Sequence, residues 1–130
     1  MDYDFPPTTT LATNGRALVV SFDTTNVVKL AAFRQRYGVA VGVPVFGPYA
    51  GKLDNSADTV RLRKPDAPTA QGSVPYILVD EVSYRDGVPW PAGADGTGAS
   101  LQRIALTQYG NDPANWTAAT PTASRDTGSG

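Results

Sequence analysis

The sequence predicts a mainly β fold, a sandwich of short strands with one short helix carried in a long connection. Three observations point there. Segments of alternating apolar character, RALVVSF, DTVRLRKP, YILVDEVSY and ASLQRIAL, recur between clusters of Gly, Pro, Asn and Asp. Only one stretch, NVVKLAAFRQRY at 26–37, has a helical period. Among the acidic residues eleven are Asp and one, Glu81, is Glu, a bias that suits turns better than long helices.

The opening MDYDFPPTTTLATNG reads as an extended lead-in that ends in a turn at Asn14-Gly15. In the strand that follows, Leu18, Val20 and Phe22 point to one face and Ala17, Val19 and Ser21 to the other. The helix gathers Val27, Leu30, Phe33 and Tyr37 on one stripe, turns Lys29, Gln35 and Arg36 away, and ends at Gly38. From 39 to 56 the chain is apolar but broken by Gly42, Gly47, Gly51, Pro44 and Pro48. That composition predicts an irregular excursion closing in the turn Asp54-Asn55-Ser56.

DTVRLRKP then alternates, with Val60 and Leu62 inward and Arg61 and Arg63 outward, until Pro65 stops it. After a linker at 65–75 comes YILVDEVSY, the most β-prone segment. Ile77 and Val79 lie on one parity and Val82 and Tyr84 on the other. Either a β-bulge shifts the face near Asp80-Glu81, the reading preferred here, or Asp80 points the same way as Val82. ASLQRIAL reads as the final strand. The residues after NDPANW lack large apolar side chains and are expected to be a featureless tail, with the folded domain ending at about 120 and 121–130 disordered.

At 130 residues the chain is the size of one domain, for which one core is expected. Eleven basic and twelve acidic side chains leave a net charge of -1, so no global field draws it to nucleic acid. With no cysteine and no histidine, disulfides, thiolate chemistry, the usual zinc ligands and the commonest neutral-pH proton carrier are excluded. No apolar run approaches the ~20 residues of a membrane span. The first residues have neither the basic nor the apolar region of a signal peptide.

The chemistry-bearing candidates are few. Asp54, Asp66, Asp86, Asp95 and Asp112 sit beside Gly, Pro or Asn, where Asp serves turns by accepting from nearby backbone N–H groups. A carboxylate-based hydrolase would need two of these acids positioned as a pair, and stands as the least favoured alternative. DGTG at 95–98 has the alternation of oxygen donors and glycine found in calcium loops. Asp95 and Asp86 are therefore weak calcium candidates, set against the simpler reading that Gly96 and Gly98 permit positive φ. Arg61, Arg63, Lys64 and Arg85 could meet a polyanion, or could be edge-strand charge that blocks aggregation. Trp90 and Trp116, each flanked by turn formers, read as plugs at the end of a core rather than ligand-stacking rings.

In order, the pieces RALVVSF, AAFRQRYG, VFGPYAGKLDNSADTVRLRKP, VDEVSYRDGVPWPAGADGTGASLQRI and DPANW resemble the lamin-tail domain family over about residues 5–120. The resemblance implies an immunoglobulin-like β-sandwich and a non-catalytic interaction or structural module without cofactor. In its bacterial form, such a module is part of larger secreted or surface proteins. It implies an extracellular or cell-surface setting and a protein partner or self-association, with nucleic acid disfavoured by the near-neutral charge. The positions that carry the signature are Tyr84, Pro89, Trp90, Asp95, Gly96, Gly98, Ser100, Leu101 and Trp116. Family members begin with further strands, including an N-E-I start and a W-x-L strand, that have no counterpart here. Only about four or five strands are visible against about seven in a closed sandwich. The expectation is a sandwich N-terminally truncated relative to the family, with an apolar face and unpaired edges: a truncated open reading frame, a chain completed by a neighbouring polypeptide, or a dimer that supplies the missing strands.

Overall fold

The computed structural model describes residues 1–121. The expected disordered tail falls, from residue 122 on, outside the described residues. The chain is mainly strand, with one α-helix, and its strands pair two by two in three small sheets. Among the described residues, no helix is long and apolar enough to cross a membrane. Residues 1–53 and 54–120 form two compact units, where the composition led us to expect one core.

In the first unit, strand β1 (Leu18–Val19), helix α1 (Val27–Tyr37) and strand β2 (Val45–Phe46) follow one another. β1 and β2 pair in parallel, Leu18 with Val45 and Val19 with Phe46, so α1 is the crossover that a parallel pair requires. RALVVSF thus contributes a far shorter strand than expected, although the ladder runs on through the bond from Val20 N–H to the Phe46 carbonyl at 2.8 Å. Conversely, two residues of the expected irregular excursion are strand, because β1 offers them a partner.

The helix starts and stops where its sequence signals put it. Asn26 caps it, its side-chain oxygen accepting from Lys29 N–H at 3.1 Å, and Gly38 closes it in the left-handed conformation. Its stripe packs through Phe33, whose ring lies 5.5 Å from Phe22 and 5.0 Å from Tyr37. Val27, at the exposed start of that stripe, stays in solvent. The Arg34 guanidinium donates to the carbonyls of Ala40 at 2.6 Å and Val43 at 3.0 Å, fastening the segment that leads into β2. Val20 and Val39 are the buried apolar residues of this unit.

The second unit holds two antiparallel pairs. Strands β3 (Ala57–Pro65) and β4 (Tyr76–Arg85) form a long hairpin, and β5 (Ser100–Arg103) pairs with β6 (Trp116–Ala119). The parity change in YILVDEVSY is a bulge: Leu62 opposes Asp80 while Arg63 opposes Leu78, leaving Val79 as the extra residue. Past the bulge Asp80 and Val82 share one face, opposite Leu62 and Val60. The bulge and the shared orientation, weighed as alternatives, occur together.

Two strand expectations are corrected in this unit. ASLQRIAL is strand only to Arg103, and it is not the last strand, because residues 116–119, assigned to the tail after Trp116, form β6. Lack of large apolar residues did not prevent a strand there, because β5 supplies its ladder. A Cβ on Gly93, in the 3-10 turn Ala92–Ala94, would lie 3.0 Å from the Ala118 methyl, so that turn packs closely on β6.

Candidate functional site

The polar side chains of the second unit converge where β4, β5 and the 104–115 loop meet. Arg103, at the end of β5, donates from one guanidinium nitrogen to the Asp80 carboxylate at 2.7 Å and from the other to the Gln108 carbonyl at 2.8 Å. Its guanidinium carbon sits 5.9 Å from the centre of the Trp116 ring, within cation–π range. The Trp116 indole N–H donates to the Gly110 carbonyl at 2.7 Å, and Asn111 accepts from Ser83 N–H at 2.7 Å. Gly110 leaves room for the tips of both Arg103 and Asp80. A Cβ there would lie 2.6 Å from an Arg103 nitrogen and 2.7 Å from an Asp80 oxygen.

Trp90 completes the cluster. It is 6% exposed, the one buried apolar residue of this unit, and its ring centre lies 6.1 Å from that of Trp116 at 50°. Beside it an open depression of about 370 Å³ is lined by Ala57, Ser83, Tyr84, Arg85 and Asn111. With its indole packed against a second indole, Trp90 serves as the core plug expected of it. A second open depression, of about 340 Å³, lies in the first unit between Val20, Phe22, Phe33 and Tyr49 and carries no ionisable group besides tyrosine.

The signature positions lie in the second unit. The Tyr84 hydroxyl donates to the Asp54 carbonyl at 2.6 Å. Partial burial, then the charges of Asp58 and Asp54, push its pKa above the ordinary tyrosine value. Pro89 follows a cis peptide after Val88, and Gly96 and Gly98 have φ of 69° and 84°. Ser100 donates to the Ala119 carbonyl at 3.4 Å, and Leu101, half-buried, pairs with Ala118. The Thr97 hydroxyl donates to the Gly93 carbonyl across the loop.

Three of the five turn aspartates behave as expected. Asp54 accepts from Ser56 N–H at 2.8 Å, Asp66 from Ala67 N–H at 2.8 Å and Asp112 from Ala114 N–H at 3.0 Å. Asp86 and Asp95 do not use their carboxylates this way: Asp86 donates its backbone N–H to Ser56, and Asp95 donates its own to Ala92 at the end of the 3-10 turn. Among the described residues, no three Asp or Glu side chains gather as a metal site would require. Asp86 and Asp95, the two weak calcium candidates, are not joined by a third acid among those residues. Asp58 and Asp23 have pKa values held below the aspartate norm. For Asp58 the causes are bonds from Thr59 and then Asp54 N–H; for Asp23 they are the Thr25 hydroxyl and then its N–H.

Of the proposed basic patch, Arg61, Arg63 and Arg85 share one hairpin face and Lys64 lies on the other. Arg61 is already paired with Glu81 at 2.6 Å. The residues the sequence reading overlooked are Asp80, Arg103, Gly110 and Asn111. Their partners lie 23 and 28 positions apart in the chain, a separation at which no local spacing rule operates.

The remaining feature is an exposed apolar surface at the outer half of the hairpin. Leu62 on β3 and Tyr76, Ile77, Leu78 and Val79 on β4 are all exposed, from 42% at Ile77 to 63% at Tyr76. Among the described residues, no third strand joins either edge. Compared with known proteins, the chain matches no family model, no curated protein and no solved structure.

Proposed function

We propose that this chain is a non-catalytic interaction and structural module, of the kind implied by its resemblance to bacterial lamin-tail domains, and that its contact surface is the outer half of the β3–β4 hairpin. The observation that carries this reading is the run Tyr76–Val79, four consecutive exposed apolar residues on a strand with an open edge. A two-stranded hairpin is marginal in water, and such a surface gains stability only when something covers it. The immunoglobulin-like sandwich belongs to the same proposal: further strands laid on this hairpin would widen a two-stranded sheet into one layer of it. A secreted or surface setting follows from the resemblance alone.

The polar cluster acts in this reading as support. Asp80 and Arg103 neutralise each other, Asn111 serves a backbone amide, and Gly110 admits them. Polyanion binding is the second reading, favoured by Arg63 and Arg85 sharing a face with Arg61; it requires retention on heparin that falls steeply with salt.

The test uses the dye ANS at low micromolar protein. The folded chain is expected to enhance its fluorescence, Leu78→Lys to lose half or more of that enhancement, and Leu106→Lys, at another exposed leucine of the same unit, to keep it. Equal enhancement in wild type and Leu78→Lys would show that the hairpin is not the accessible apolar surface.

A further inference from the structure

We propose that β4 pairs edge to edge, antiparallel, with β4 of a second copy of this chain, about a two-fold axis at Leu78. This rests on the reading of the hairpin as a contact surface and names the partner. The hydrogen-bond pattern of the hairpin fixes which residues face its open edge. An antiparallel ladder turns alternate residues toward its partner strand and toward the outside. Asp66 N–H bonds the Pro75 carbonyl at 2.8 Å, so the neighbouring pair Pro65–Tyr76 faces outward, Lys64–Ile77 inward, and Arg63–Leu78 outward again.

Further along β4 the outward amides are those of Glu81 and Ser83, and both are already occupied. Asp80 accepts from Glu81 N–H at 2.9 Å and Asn111 accepts from Ser83 N–H at 2.7 Å. Side chains close the edge there. Among the described residues, the amides of Tyr76 and Leu78 have no such partner on the outer side, and the open stretch coincides with the exposed apolar run.

Charge selects β4 over β3 and a like copy over a charged partner. Antiparallel self-pairing of β3 about Leu62 would set Arg61 against Arg63 of the other copy, a like-charge contact that blocks association. Pairing of β4 about Leu78 sets Leu78 against its own equivalent and Ile77 against Val79; beyond Val79 the bulge turns the Asp80 backbone toward β3, so Tyr76 of one copy lies beside the Asp80–Glu81 segment of the other without a ladder bond. No like charges meet. Because Leu78 faces outward, the central pair exchanges both backbone hydrogen bonds, and the result is a continuous four-stranded sheet, β3-β4-β4-β3, with apolar side chains clustered on both faces of the seam. The seam offers four exposed apolar side chains per copy, Tyr76–Val79, against the roughly 20–30 residues a side of a standard interface. The dimer is therefore weak, with a dissociation constant on the order of 10–100 µM.

Sedimentation velocity on the full chain from about 5 to 500 µM, spanning that range, tests the pairing. The weight-average coefficient is expected to climb from monomer toward dimer. Leu78→Lys should weaken association at least tenfold, and mixing Leu78→Lys with Leu78→Asp should restore it. Leu106→Lys should leave it unchanged. The chain has no cysteine of its own, so Leu78→Cys is expected to form a disulfide-linked dimer under mild oxidation, the roughly 5.5 Å Cα separation of such a pair being suitable. Arg63→Cys on β3 should not. Circular dichroism melts establish that each variant is folded; if Leu78→Lys is not, the cysteine pair decides. A monomer at every concentration, or equal cross-linking of Arg63→Cys, would overturn self-pairing. With ANS binding at Leu78 intact, that result would leave the hairpin a contact surface for a different partner; with ANS binding absent too, both proposals fail.

Discussion

Replacing Trp90 with alanine is the most severe single test of how the second unit is held together. Trp90 is the one side chain of that unit that is 6% exposed, and it packs against Trp116, whose N–H is fixed to the Gly110 carbonyl. A buried indole removes about 150–250 Å² from water, which at ~25 cal/mol per Å² corresponds to about 4–6 kcal/mol as an upper bound. Measured Trp-to-Ala changes in cores cost about 3–5 kcal/mol, because the surroundings collapse only partly into the space. The ring pair adds about 1 kcal/mol that alanine also forfeits.

The expected loss is therefore about 3–4 kcal/mol, a large share of the ~5–15 kcal/mol that holds an ordinary domain together. The chain has two tryptophans, so the variant leaves Trp116 as a lone reporter. Urea unfolding followed by Trp116 emission should show its midpoint far to lower denaturant, with red-shifted emission already in buffer. Trp90→Phe should recover at least half of the loss by keeping an aromatic ring in place. A loss below about 1 kcal/mol, the scale of a surface substitution, would refute the assignment of Trp90 as the plug of this unit and return it to the role of an available ring beside the depression.

Two further outcomes follow from the same geometry. A double-mutant cycle between Arg103→Ala and Asp80→Ala should give a coupling of about 1 kcal/mol, since the arginine is largely covered while the aspartate is half in solvent; additive losses would mean the pair contributes only packing. Tyr84 has a raised pKa in the fold, so the stability it contributes is fully present below the ordinary tyrosine value and is lost as pH rises through the folded one. Alkaline melts should therefore drop more steeply for wild type than for Tyr84→Phe, which at neutral pH should itself cost about 1 kcal/mol through the lost bond to Asp54.

Local rules written in adjacent residues were readable in advance. The helix over 27–37 is bounded by an Asn that caps it and a Gly that ends it, both encoded within one turn of its ends. The bulge on β4 is visible as a parity change within nine residues. Asx bonds at Asp54, Asp66 and Asp112 span one or two positions, so composition suffices to place them. The burial of Trp90 was also foreseeable, because a large ring between two prolines has little else to do.

What composition and spacing could not decide is pairing. β1 and β2 are strands only because each supplies the other's ladder across an intervening helix, and neither two-residue segment has a pattern of its own. β6 reads as tail because it lacks large apolar residues, and it is a strand because β5, more than a dozen positions earlier, supplies its ladder. The Asp80–Arg103 pair and the Asn111 cap on Ser83 join residues more than twenty positions apart. The sequence by itself thus determined a mainly β chain with one helix, its turns and its lack of thiol and imidazole chemistry, all properties of side chains and near neighbours. Only the tertiary structure decided that the strands pair two by two and leave Tyr76–Val79 uncovered, because long-range hydrogen bonds depend on which segments meet and not on what each prefers alone.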